Sequence, residues 1–329
     1  MTLTKLTLTV AAGLLTAACA TSPEPPKYPV QPVKVVIPYP AGNAADIVGR
    51  ALVDKLAQMW GQPITVENRG GPTTVPGVDS VAKSRPDGYT LLLHSVSYAV
   101  DAGLYTGLPY DSTRDFTPLA GIARQPFALV ASPTLGVRSV ADLTAKARAG
   151  ALKFGSLGPT TQVYFVAEQF RRTAGFNAGH QSYRSLAEAN GATARGDVAF
   201  WFPAVTGALA GVRDAGLVPL AVTGEQRSPM MAQVPTMAEA GVPGLVSYAW
   251  FGLWAPAGLP AGLSDKISAD VGRALASPDL RERFAKLGAE PMPMTVSQFG
   301  RFVRKETDDS RRFVGELGIR PQAYVPAKP

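Results

Sequence analysis

The chain has 329 residues, 46% of them apolar and 17% charged, with a formal net charge of +7 and a single cysteine. That length supports two domains with real cores, and the ordinary apolar content excludes a disordered or fibrous protein. One cysteine excludes an internal disulfide, and basic residues scattered among acidic neighbours, as in Arg281-Glu-Arg283, argue against a nucleic-acid surface.

Met1 to Ala20 reads as a secretory signal, with Lys5, an apolar core from Leu6 to Leu15 and small residues after it. Ala18-Cys19-Ala20 fits an A-x-A cleavage site that leaves Thr21 first and, with Lys5 gone, a net charge of 7 − 1 = +6. Cys19 also fits the lipidated cysteine of a lipoprotein, because Leu15-Thr16-Ala17-Ala18 precedes it. Both readings export the chain. Residues 21–32, with their prolines, read as a flexible leader. No later segment has the apolar length to span a bilayer.

Val33 to Ile37 predicts a buried strand. Pro38, Pro40 and Gly42 break it, and Ile47, Val48, Ala51, Leu52 and Leu56 then recur at helical spacing. A strand thus feeds a short turn onto a helix whose first N–H groups and positive dipole end suit an anion. Gly42 and the small Ala41, Ala44 and Ala45 let a ligand approach the backbone. The segment is neither GxGxxG nor GxxxxGK[ST], so a nucleotide phosphate is not indicated.

Further on, Ile64 to Glu67 and Thr90 to Leu93 read as short strands, with His94-Ser-Val-Ser97 a hydroxyl-rich strand exit, and Leu119 to Val130 as a longer extended stretch. Val140 to Ala149 predicts a helix with Ser139 as N-cap and Asp142 three residues on. Leu152 to Ser156 is a strand, and Phe154-Gly-Ser-Leu-Gly-Pro-Thr-Thr161 repeats the logic of the first junction before a helix over Gln162 to Ala174. Ser156, Thr160 and Thr161 offer hydroxyls to a carboxylate without a buried charge. Asp197 to Phe202 and Val218 to Thr223 read as strands; alternation within Ala199-Phe-Trp-Phe202 leaves Trp201 either in the core or on a cleft. Trp250 to Ala255 is extended, and helices over Ser264–Ala276, Pro278–Leu287 and Val296–Leu317 end the chain.

Strands separated by helices imply parallel sheets covered on both faces. The pattern suggests two α/β lobes joined by two crossovers, one near Gln125–Val130 and one near Tyr248–Gly252. The first lobe takes residues 33–124 with 253–320, the second 125–252, and 321–329 form a tail. Such sheets bind ligands at the carboxyl ends of their strands. The two histidines, His94 after a strand and His180 in a loop, read as structural or solvated. Gly155-Ser156-Leu157-Gly158 is not a G-x-S-x-G elbow, and no catalytic, metal or cofactor constellation stands out.

Taken together these segments resemble the tripartite tricarboxylate transporter substrate-binding proteins, the Bug (Bordetella uptake gene) family. The resemblance runs from about Tyr28 to Ile319. It rests on Val-Val-Ile-Pro-Tyr-Pro-Ala-Gly with Asp46, Val66-Glu-Asn-Arg69, Pro86-Asp-Gly-Tyr-Thr-Leu-Leu-Leu93, Leu108-Pro-Tyr-Asp111, Arg227-Ser-Pro229, Val234-Pro-Thr236 and Trp250-Phe-Gly-Leu with Ala255-Pro-Ala. It implies a monomeric, two-lobed periplasmic binding protein of Venus-flytrap, type II-like architecture, with a parallel-rich sheet in each lobe and no cofactor. Such a protein captures a small carboxylate in the cleft and delivers it to membrane permease subunits of a tripartite tricarboxylate transporter. By the same resemblance the ligand meets Tyr39, Ala41, Gly42, Asn43 and Asp46 on one loop and Ser156, Gly158, Thr160 and Thr161 on the other. Tyr183, Ser95, Ser97 and Trp201 line the rest. Asn43 stands where the family has a second glycine, Tyr164 replaces a frequent histidine, and Trp201 replaces an acidic residue. Less negative charge and more aromatic surface suggest an aromatic or bulky carboxylate. A periplasmic sensor and an exported hydrolase are the alternative readings.

Overall fold

The structure, a computed structural model, describes residues 27–71, 73–159 and 161–326. The signal segment, Cys19, the leader up to residue 26 and Thr160 lie outside the described residues. The leader expected to be flexible is anchored from Tyr28 on. That ring is buried against Trp60 and Tyr89, and its hydroxyl donates to the Gly88 carbonyl at 2.6 Å.

In chain order the first elements are β1 (Val33–Ile37), α1 (Ala44–Trp60), β2 (Ile64–Asn68), α2 (Val75–Ala82), β3 (Thr90–Ser95), α3 (Ser97–Leu104), β4 (Tyr105–Thr106) and β5 (Phe116–Pro126). Then come β6 (Ala128–Ala131), α4 (Val140–Ala149), β7 (Leu152–Ser156), α5 (Gln162–Thr173), β8 (Ala178–Ser182), α6 (Leu186–Arg195), β9 (Phe200–Trp201), α7 (Val205–Ala215) and β10 (Val218–Val222). The chain ends with β11 (Tyr248–Pro256), α8 (Ala261–Ala276), α9 (Pro278–Lys286), β12 (Glu290–Pro291), α10 (Val296–Glu316) and β13 (Gln322–Ala323).

Two large sheets organise these elements, one in the order β12-β5-β11-β3-β1-β2 and one in the order β10-β6-β9-β7-β8, and β4 pairs with β13 in a two-stranded sheet. Each large sheet is mixed. The β2-β1-β3 and β8-β7-β9 portions are parallel, whereas β11 and β6 run antiparallel to their neighbours. The antiparallel part follows from the crossovers: a chain that leaves a lobe on β5 and returns on β11 must run both ways between the same two ends.

Strand alternation divides the core into layers. Val33, Val35 and Ile37 face α1, α8 and α9, packing on Val48, Leu52, Ile267, Val271 and Phe284. Val36 and Leu92 face α2, α3 and α10, where Trp250, Trp254 and Phe299 fill the centre. Gly252 is required there, because a Cβ at that position would collide with the Phe299 ring. In the second sheet Phe200 and Phe202 point to α4 and α5, and Trp201 points to α6 and α7. Burying such aromatic side chains contributes several kcal/mol each.

Two segments cross between the sheets, through Phe127 and through residues 223–247. Thr223 fastens them together. Its hydroxyl accepts from the Phe127 N–H at 2.9 Å and lies 2.5 Å from the Ser247 carbonyl, to which it donates.

Candidate functional site

The first junction, between β1 and α1, is shaped by its own side chains. Asn43 caps α1 by accepting from the Ala45 N–H at 2.9 Å. Gly42, at φ +81°, adopts a left-handed turn that favours glycine. Its N–H donates to Asp46 Oδ2 at 2.9 Å. Asp46 Oδ1 accepts from Arg50 Nε and Asn68 Nδ2, both at 2.9 Å. Burial alone would raise the Asp46 carboxyl, but hydrogen bonds from Arg50, Gly42 and Asn68, with the Arg50 charge, hold it below its ordinary value. The carboxylate is turned inward and fully engaged. Asp46 thereby positions the loop, while Ala41, Gly42 and Asn43 remain exposed.

Tyr39 leads from this loop to the β3–α3 corner. Its hydroxyl lies 2.7 Å from Ser95 Oγ and 3.2 Å from His94 Nδ1, and Ser95 Oγ accepts from the Ser97 N–H at 3.3 Å. His94 belongs to β3 itself, is fully buried, and is pushed down by that burial to about 3, so the ring is neutral. Nδ1 lies 2.8 Å from the Ser95 N–H and 3.1 Å from the Ser95 carbonyl oxygen, while the buried Nε2 has no partner. One turn along α3, Asp101 accepts from the Thr74 hydroxyl at 2.6 Å, and burial raises its carboxyl to about 6.

The second junction, between β7 and α5, uses no carboxylate. Ser156 is fully buried; its Oγ accepts from the Gly158 N–H at 3.0 Å and lies 2.7 Å from His180 Nε2. The Thr161 hydroxyl donates to the Gly158 carbonyl at 2.7 Å. Tyr183 is half-buried, and its N–H donates to the Ser156 carbonyl at 2.9 Å. His180 lies on β8, not in a loop. Parallel pairing sets Ser156 opposite Ser182 and Phe154 opposite His180, so the imidazole reaches Ser156 diagonally. The pair is not a hydrolytic dyad, because Ser156 has no exposed surface from which to attack a substrate.

Trp201 is not on the cleft. It is completely buried beneath α6 and α7, its indole N–H without a partner, because alternation sends Phe200 and Phe202 the other way.

The two junction regions approach one another through their flanks. Val96, Ala99 and Val100 of the β3–α3 corner share one buried cluster with Phe165 of α5. Phe165 also meets Phe313 of α10 edge to face, with centroids 5.8 Å apart. A groove of about 630 Å³ runs behind this contact, walled by Gln162 and Phe165 on one side and Val96 and Trp250 on the other. None of the sequence-predicted site residues lines it. The sequence pattern located both strand-to-helix junctions and read His94 as structural or solvated, and it is fully buried; it gave no role to His180, Asn68 and Arg50, which hold the loops.

The model of the tripartite tricarboxylate transporter family receptor matches residues 48–319. The chain belongs to that family. The receptor is 32% identical to protein BugT of Bordetella pertussis over 324 residues, covering 97% of this chain and 99% of BugT. It is 30% identical to a UPF0065 protein from the tcbD-tcbE intergenic region of Pseudomonas sp. strain P51, covering 89% of this chain and 88% of that protein. Its fold matches R. palustris Rpa4515 with adipate at a TM-score of 0.79 and 29% identity, over 89% of this chain and 99% of the other. It matches MatC from Rhodopseudomonas palustris with bound malate at 0.72 and 27%, over 87% and 100%. The periplasmic binding protein BugD matches at 0.74 and 25%, over 90% and 100%. The receptor therefore has the two-lobed fold of periplasmic binding proteins and belongs with substrate-binding proteins, not enzymes.

Proposed function

We propose that this receptor captures a small aliphatic dicarboxylate between its lobes in the periplasm and hands it to the permease subunits of a tripartite tricarboxylate transporter. One observation carries the reading. Both junctions open onto a helix start, whose dipole favours an anion, and Arg50, the cation hydrogen-bonded within the first junction, is already engaged by Asp46. Ala41, Gly42, Asn43, Tyr39, Ser95, Ser97, Gly158, Thr160 and Thr161 form the binding set, while Ser156 and Asp46 support it from behind. Neutral N–H and O–H groups hold a carboxylate through charge-assisted hydrogen bonds without a buried cation that would demand its own partner. Similarity to proteins with bound adipate and malate favours an aliphatic diacid. The aromatic preference inferred from Trp201 loses its basis, since that ring lies in the core. Export follows from the signal-like segment Met1–Ala20.

Closure of the lobes around the ligand makes affinity a hinge equilibrium biased by contacts formed only when closed. A thermal-shift screen of adipate, malate, citrate, glutamate and benzoate, followed by calorimetry, tests the reading. A saturating dicarboxylate raises the midpoint by about 5 °C or more. A response to benzoate alone, or to none of the five, overturns it.

A further inference from the structure

The cluster at the start of α5 contains a titratable group for which the binding reading has no use. His180 Nε2 sits 2.7 Å from Ser156 Oγ, which in turn holds the Gly158 N–H at 3.0 Å. We propose that His180 is a positioning residue of the ligand loop, acting through Ser156 on Gly158, and that its protonation couples carboxylate capture to proton uptake. This rests on the carboxylate-binding reading above.

The coupling follows from how many protons each partner owns. A hydroxyl has one proton and two lone pairs. With neutral His180 accepting at Nε2, the Ser156 proton is committed to the ring and a lone pair receives the Gly158 N–H. With imidazolium, Nε2 donates instead, Oγ keeps the Gly158 N–H, and the Ser156 proton is released towards the loop. Protonation therefore leaves the loop's shape intact while adding one positive charge and one free hydroxyl proton behind the carboxylate site. A bound anion favours that state, so binding raises the His180 pKa and takes up part of a proton.

The surroundings make the ring responsive. From α5 it faces Tyr164, whose ring centroid is 4.7 Å away, and Glu168, which is paired to Arg171 at 2.7 Å; from β7 it faces Phe154 and Ser156. Lys153 points to the other face of β7 by alternation. Burial lowers the ring's pKa below its ordinary 6.5, with the Glu168 charge opposing. The ring is thus neutral at pH 7 and takes up a proton only in more acidic solution. Asp101, at about 6 and beside the other loop, acts with the same sign on acidification, since its neutral form repels an anion less.

Calorimetry with adipate at pH 7.5 and pH 5.5, in two buffers of different ionisation enthalpy, separates the contributions. The wild type binds about fivefold tighter at the lower pH, less than one pKa unit of coupling, with net proton uptake. Asp101→Asn retains at least half of that gain on a logarithmic scale. His180→Gln keeps a side chain able to bond Ser156 but cannot titrate; it binds adipate with the pH gain reduced to the Asp101 share. His180→Ala also weakens binding at pH 7.5 about tenfold, with the circular dichroism spectrum unchanged. A His180→Gln protein with the full wild-type gain overturns the proposal. Absence of adipate binding by the wild type at both pH values overturns the proposal too, and counts against the dicarboxylate reading, a result distinguishable from the first. With only two histidines in the chain, imidazole nitrogen resonances report the His180 tautomer directly. A ring protonated at Nε2 and not at Nδ1 at pH 8 also overturns the proposal.

Discussion

At the β1–α1 junction the Gly42 amide is held by the Asp46 carboxylate, whereas at the β7–α5 junction the Gly158 amide is held by the Ser156 hydroxyl. The first holder is charged and brings Arg50 as its own counter-ion; the second is neutral and is backed by an imidazole. In both, the group that holds the amide carries no unpaired charge. They differ in what pH can do: one is locked until its carboxylate protonates, the other sits beside an imidazole whose pKa burial moves down from its ordinary value.

The largest break in that contrast comes from Asp46→Ala, which frees the Gly42 N–H and leaves Arg50 and Asn68 without their shared acceptor. It should cost about 2–4 kcal/mol in urea unfolding. Because the folded carboxyl is held below the ordinary value of 3.8, the stabilisation is complete above that value and fades as pH falls below it. Wild type and variant midpoints should therefore converge below about pH 4, and unchanged separation at pH 2.5 would refute the role. Next come the two glycines. Neither has an atom within 4 Å of an added Cβ, so alanine there measures backbone strain alone. Gly158, at φ +124°, should cost about 1–3 kcal/mol, and Gly42, at φ +81°, about 1–2. An equal or reversed order would show that the second loop relaxes. Ser156→Ala should lose about 1 kcal/mol by removing the acceptor of the Gly158 N–H. The smallest effect belongs to the cap: Asn43→Ala should cost about 1 kcal/mol and Asn43→Gly only a few tenths, read by thermal melts.

Both junctions were legible in the chain for the same reason. A β-branched run such as Val33–Ile37, followed by proline and glycine and then by helical spacing, leaves few alternatives. Ser139 with Asp142 marks the start of α4 as expected, and Thr295 before α10 closes a full capping box with Gln298. What stayed hidden was structure made by partners and not by local pattern. The β8 segment, Ala-Gly-His-Gln-Ser, has neither apolar alternation nor β-branched residues and is a strand only because β7 pairs with it. That is why His180 read as a loop residue. The helices α6 and α7, rich in alanine and glycine, carry few large apolar side chains to mark their buried faces. The position of Asp46 in the motif says where it is, not which way its carboxylate turns; Asn68, 22 residues away, settles that.

The Thr223 hydroxyl, by joining the backbone at Phe127 to that at Ser247, brings the exit and the re-entry of the second lobe side by side. Residues 128–246, the stretch between them, carry the whole β10-β6-β9-β7-β8 sheet as one cassette. Exchanging that cassette for the matching stretch of a relative such as BugT would replace one wall of the cleft while leaving the other intact, a modular route to new ligand preferences.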